Sequence, residues 1–149
     1  MVRPFAPSDI AVWAAQRSRL WPDAEAAELA AEAHQFAAGV QLPGIAAVFI
    51  AEDAAATPLG FLELAVRPFS DGCESMPVPH VEGWYVEPGA RGRGVGRRLM
   101  RAAEHWARAN GFDEIASDTE LANEASQRAH TGCGFIEVDR LVKFRKPLS

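Results

Sequence analysis

The sequence predicts a mixed α/β (α+β) fold, a central sheet with helices on both faces. Three patterns point to it. Helical stretches alternate with short apolar runs, two adjacent runs are separated by a small-residue turn, and one run leads through an arginine- and glycine-rich loop into an amphipathic helix. The 149 residues suffice for one domain with a core that needs no staple, so a single domain over residues 1–149 is expected.

The elements follow in order. Ser8 is expected to cap a helix through Ile10, Trp13, Ala14 and Arg17 to about Leu20, where Trp21-Pro22 interrupts it. Ala24 to Ala38 is rich in alanine and stops at Gly39, as a helix does. Ile45 to Glu52 and Leu59 to Arg67 read as an antiparallel hairpin, joined across Thr57-Pro58. The next thirteen residues, PFSDGCESMPVPH, are broken by three prolines and a glycine and read as a loop long enough to carry function. VEGWYV, from Val81 to Val86, is a strand. After it, Val95, Leu99, Ala102, Ala103 and Trp106 recur at helical spacing up to Asn110-Gly111. A short strand from Glu114 to Ser117, a helix from about Asn123 to Thr131 capped by Asn123, and a final strand pair around Phe135 to Lys146 complete the chain.

Composition narrows the function. The net charge is −5 and the pI about 5.4, which argues against a nucleic-acid partner. No segment approaches the roughly 20 apolar residues that cross a bilayer, and the opening MVRPFAPSDI lacks a long apolar stretch, so a cytoplasmic protein is expected. Cys73 and Cys133 are expected as thiols, and the four histidines lack metal-ligand spacing, so no metal site is expected.

The positive charge is concentrated. Gly89 to Arg98 holds four arginines and four glycines in ten residues. A helix start there offers unpaired N–H groups and the positive end of the macrodipole, glycines let an anion approach the backbone, and arginines add charge. A Walker A loop fails because Val95-Gly96 stands where Lys-Ser/Thr is required, and a dinucleotide fingerprint fails because residue 97 is arginine. Arg91-x-x-Gly94-x-Gly96 after a strand remains. It resembles the acetyl-coenzyme A pyrophosphate loop of the Gcn5-related N-acetyltransferase (GNAT) superfamily.

Further segments resemble one branch, the aminoglycoside 6'-N-acetyltransferases: Leu20-Trp21-Pro22, Asp71 to Ser75, Val81-Glu82-Gly83, Ala116 to Thr119, Asn123, Ser126-Gln127, His130 and Gly134-Phe135. The resemblance implies transfer of acetyl from acetyl-coenzyme A to the 6'-amine of a polycationic aminosugar antibiotic, by direct attack in a ternary complex and without a metal. Another amine (a polyamine, a small metabolite or a protein amino terminus) and a non-catalytic coenzyme-binding role are the alternatives.

It also implies site residues. Trp84, Tyr85 and Val86, the loop residues Arg91, Gly92, Arg93, Gly94, Val95, Gly96 and Arg97, and Asn123 and His130 fall to the coenzyme. Trp21 and Phe69 fall to the antibiotic cleft, the family often having tyrosine at the second. His130 stands where many members have a tyrosine acid, which puts a dedicated acid in doubt.

Chemistry points independently to carboxylates, since an alkylammonium with a pKa near ~10 must be bound and then deprotonated before it attacks a thioester. Glu82, sharing a strand face with residues 84 and 86, is the first expected base and Asp118 the second, with Asp139 adding negative charge for the substrate. The structural alternatives are a paired edge-strand carboxylate for Glu82, a turn cap for Asp118, core packing for Trp21 and simple helix capping for Asn123. Some members of the branch are homodimers, and the apolar alternation of LVKF near the carboxyl end suits strand exchange.

Overall fold

The computed structural model describes all 149 residues, which gather into two compact units, Met1–Asp118 and Thr119–Ser149. The first contains strand β1 (Val2–Pro4), helices α1 (Ile10–Leu20) and α2 (Ala26–Ala37), strands β2 (Ala47–Glu52), β3 (Pro58–Arg67) and β4 (Val78–Val86), helix α3 (Val95–Ala109) and strand β5 (Ala116–Ser117). The five strands form one mixed sheet in the order β1-β2-β3-β4-β5, antiparallel except for the parallel β4–β5 pair. Its faces are covered differently. Gly83 of β4 backs onto Trp21 at the end of α1, while the neighbouring Trp84 donates from its indole to the Gly96 carbonyl of α3.

The core on the α1–α2 side is apolar, built from Trp13, Ala33, Ile45, Val48, Ile50, Phe61 and Tyr85. Trp13, Phe5 and Phe36 meet edge to face at 5.0–5.6 Å, a geometry that adds to plain area burial. One ionic cluster runs through this layer. Buried Arg17 reaches the Glu63 carboxylate (3.1 Å), the Leu29 carbonyl (2.9 Å) and Glu32 (2.7 Å), and Trp13 Nε1 donates to the same Glu63 at 3.1 Å. Helices α1 and α2 are thereby tied to β3 by charge-assisted bonds. On the other side of the sheet, Val95, Leu99, Met100, Ala103 and Ala107 form the buried stripe of α3.

Four expectations are corrected. The amino-terminal turn is ordered by Asp9, not capped by Ser8: the Asp9 carboxylate accepts from the Ala6 N–H at 2.8 Å and from Arg3 at 2.7 and 2.9 Å, where an ionised acceptor outcompetes a hydroxyl. Strand β4 starts at Val78 rather than Val81, so the preceding loop is shorter than expected. Its Pro79 is tolerated because β5 reaches only His80 and Val81 and leaves the outer edge of β4 open beyond them. A strand at Val2–Pro4 joins the sheet without having been expected.

The second unit contains α4 (Glu124–Gly132), started as expected by Asn123, whose Oδ1 accepts from the Ser126 N–H at 3.0 Å. The expected strand pair around Phe135 to Lys146 is absent, and Ile136, Val138, Leu141, Val142 and Phe144 are exposed. Alternation alone does not make a strand, because the extended backbone is stable only with a paired neighbour.

Candidate functional site

The glycine- and arginine-rich side is built by local backbone geometry. β4 ends at Val86, a tight turn over Pro88–Ala90 follows, and α3 begins at Val95 with Gly94 as its N-cap residue. Gly92 and Gly94 have φ of 74° and 75°, left-handed conformations that strain other residues. Gly94 has no side chain to cap the helix, so the first-turn N–H groups stay open toward a ligand. Arg91 Nε donates to the Val86 carbonyl at 2.9 Å, pinning the loop to the end of β4, and Arg98 donates to the Arg93 carbonyl at 3.2 Å. Arg91, Gly92, Arg93, Gly94 and Arg97 are exposed, while Val95 is buried as the first apolar anchor of the helix. Gly96 has a packing reason: a Cβ there would stand 3.2 Å from the Trp84 ring. An uncapped helix start with no Cβ in its cradle and cationic side chains around it fits a diphosphate.

Four residues further back along β4 the chemistry changes sign. The β3–β4 ladder pairs Glu63 with Gly83 and Leu64 with Val81, so Glu82 is the extra residue of a bulge. Bulges bend a strand and re-aim side chains, and they gather beside active sites. Along β4, Glu82, Trp84 and Val86 are half-buried while Gly83 and Tyr85 are buried. Arg67, the last residue of β3, grips Glu82 with two parallel bonds, Nε to Oε1 at 2.7 Å and Nη2 to Oε2 at 2.8 Å.

Buried His80 joins the group: its Nδ1 lies 3.5 Å from Glu82 Oε1 and its Nε2 3.6 Å from Asp118 Oδ2, both longer than a well-formed hydrogen bond. The parallel register of β5, with Ser117 beside Val81, brings Asp118 to this place. Burial by itself would raise the Glu82 pKa, but the His80 imidazole and the Arg67 fork outweigh it and hold the carboxyl down at about 2.

Trp21 is half-buried, with the Arg17 guanidinium 5.3 Å from its ring centre and its edge 3.0 Å from where a Gly83 Cβ would stand. Phe69 is exposed in the 68–77 loop, which is held by the Glu114 carboxylate accepting from the Glu74 and Ser75 N–H groups at 2.9 and 2.6 Å. Tyr85 is buried, and its hydroxyl meets Glu87 at 3.1 Å. In the second unit, His130 directs Nδ1 to the Ser126 carbonyl at 2.7 Å and meets Phe135 edge to face, and Asp139 is exposed and accepts from the Arg140 N–H at 2.7 Å.

The structure therefore brings Glu82 and Asp118 together through His80, and adds two residues that the sequence did not single out. His80 was hidden by the prolines at 77 and 79, which argued against a strand at that point. A period-2 reading of HVE could have found it. Nothing local marks Arg67, because its contact with Glu82 depends on the pairing of β3 with β4.

The model of the acetyltransferase (GNAT) family matches residues 11–135. An aminoglycoside N(6')-acetyltransferase type 1 of Klebsiella aerogenes is 47% identical over 99% of this chain and 97% of its own, and one of Stenotrophomonas maltophilia is 41% identical over 99% and 93%. The solved structure of AAC(6')-Iy with the bisubstrate analogue CoA-S-monomethyl-acetylneamine superposes with a TM-score of 0.88 at 32% identity, covering 99% of this chain and 98% of that one. That of AAC(6')-Ig from Acinetobacter haemolyticus superposes at 0.86 with 31% identity, over 100% and 99%. These full-length likenesses make this chain a member of the acetyltransferase (GNAT) family, in its aminoglycoside N(6')-acetyltransferase type 1 branch.

Proposed function

We propose that this chain transfers the acetyl group of acetyl-coenzyme A to the 6'-amine of aminoglycoside antibiotics. One observation carries the reading: a single strand, β4, leads into a glycine- and arginine-rich helix start suited to an anion and bears, four residues or about 13 Å earlier, a carboxylate on one side of a histidine that has a second carboxylate on its other side. The likeness to proteins named for this activity supports the same substrates.

Bound acetyl-coenzyme A supplies the acetyl group as an activated thioester. The N–H groups at the start of α3, with Arg91, Gly92, Arg93, Gly94, Val95, Gly96 and Arg97, hold its diphosphate. The backbone of Trp84, Tyr85 and Val86 runs beside its arm, and an N–H near Val86 is assigned to the acetyl carbonyl. Asn123 and His130 are assigned to the coenzyme on sequence likeness, and Asp139 to the amine. Trp21 and Phe69 offer aromatic faces to the cationic sugar. Either Glu82 or Asp118 takes the proton of the bound ammonium, directly or through a water, so that the neutral amine attacks the thioester carbonyl, the C–S bond breaks and coenzyme A leaves as thiolate.

Residues 1–149 are proposed to act as one transferase domain in the cytoplasm. No helix is long and apolar enough to cross a membrane. A homodimer is proposed as well, supported by the exposed apolar side chains between Ile136 and Phe144. Sedimentation at micromolar concentration is expected to give twice the 16.1 kDa chain mass. The activity is tested by following thiol release with aminoglycosides carrying either an amine or a hydroxyl at the 6' carbon. Only the 6'-amino compounds are expected to be acetylated, and equal turnover of both kinds rejects the assignment.

A further inference from the structure

The two carboxylates of the site are not equivalent, and the difference lies in Arg67. Glu82 has both oxygens engaged by the guanidinium fork, at 2.7 and 2.8 Å, before any amine arrives. The pair carries no net charge, so Glu82 exerts little attraction on an incoming ammonium. Asp118, on the far side of His80, has its carboxyl 70% exposed and its nearest cationic or imidazole atom 3.6 Å away. The Arg67 side chain is itself 40% exposed and Glu82 25%, so the fork lies at an accessible surface of the cluster rather than deep in the core.

We propose that Arg67 is a positioning residue that neutralises Glu82 and assigns amine capture to Asp118, setting which carboxylate a polycationic substrate meets first. In this arrangement Glu82 fixes Arg67 and stands beside the His80 ring, while Asp118 keeps its oxygens for the substrate. An ammonium that pairs with Glu82 has to share it with the guanidinium or displace one arm of the fork. The fork thus disfavours cations that need two adjacent carboxylates and favours one that seats a single amine at Asp118. The proposal rests on the transferase reading above.

It is tested with tobramycin by calorimetric titration and by thiol release at saturating acetyl-coenzyme A, using R67Q, D118N, D118N/R67Q and E82Q/R67Q. D118N is expected to weaken tobramycin binding about tenfold. R67Q, by freeing the charge on Glu82, is expected to tighten it at least threefold, and D118N/R67Q to recover at least threefold over D118N. The gain must vanish in E82Q/R67Q, where the freed group is neutral. The Michaelis constant for acetyl-coenzyme A is expected to stay within twofold throughout, a split between the two substrates that a loss of fold does not produce. Should R67Q not fold, R67M, which also removes the charge, is expected to change binding in the same direction.

No tightening in R67Q or R67M, or tightening that persists without the Glu82 charge, overturns the proposal. If the wild-type protein neither binds nor acetylates tobramycin but releases thiol with spermidine, the aminoglycoside reading fails. The same variants titrated with spermidine then decide the role of Arg67 separately.

Discussion

Replacing Gly83 with alanine tests how the substrate side is built. A Cβ at this position meets Trp21 Cη2 at 3.0 Å and both Glu63 Cγ and Phe61 Cε2 at 3.1 Å. All three distances are shorter than ordinary van der Waals contact, and the neighbours cannot yield equally. Phe61 and Glu63 are fully buried, Glu63 being held by Arg17 and Trp13, whereas Trp21 is half-buried. The strain is therefore relieved by moving Trp21 outward or β4 away from α1, and β4 carries the Glu82 bulge.

Overpacking of this kind costs about 1–3 kcal/mol. For a domain of this length that corresponds to a fall in melting temperature of roughly 3–12 °C. Because the displaced groups border Glu82 and lie away from the α3 cradle, the Michaelis constant for tobramycin is expected to rise at least threefold while that for acetyl-coenzyme A stays within twofold. Differential scanning fluorimetry and steady-state thiol release read the two effects. A melting temperature within 1 °C of wild type, with both constants unchanged, would refute the reasoning.

Two further outcomes are expected. Burial pushes the Glu63 carboxyl up to about 7 from its ordinary 4.5, against the opposing pull of Arg17 and Trp13. A folded-state pKa above the unfolded one gives a contribution that is fully present below pH 4.5 and lost as pH rises through about 7. E63Q is therefore expected to flatten the decline of melting temperature between pH 5 and 8, and melts at four pH values in that window check it. Replacing Arg91 and Arg93 together by alanine is expected to raise the Michaelis constant for acetyl-coenzyme A about tenfold with little change at saturation, since both side chains are exposed and screened ion pairs contribute about 0.2–1 kcal/mol each. Unchanged coenzyme affinity in that variant removes the phosphate assignment.

The elements that were legible in the sequence are those whose cause is local. The β2–β3 hairpin follows from two apolar runs about a small-residue turn, α3 from an apolar stripe at helical spacing, and the α4 start from an asparagine that caps it. The anion cradle belongs with these, because Gly92, Gly94 and the start of α3 lie within a few residues of one another. Two of the misread places have a nonlocal cause. The start of β4 depends on pairing with β3 that overrides two prolines, and the expected terminal strands lack any paired neighbour.

The sequence by itself determined the family resemblance, the glycine- and arginine-rich loop proposed to hold a phosphate and the identity of the two acidic residues proposed to meet the amine. Only the tertiary structure decided how those acids differ. A bulge one residue long aims Glu82 at Arg67, and the parallel register of β5 puts Asp118 across His80. The physical reason is that helix caps, turns and periodic faces are set by neighbours along the chain, whereas the charge a carboxylate presents is set by whichever side chains strand pairing brings within about 4 Å.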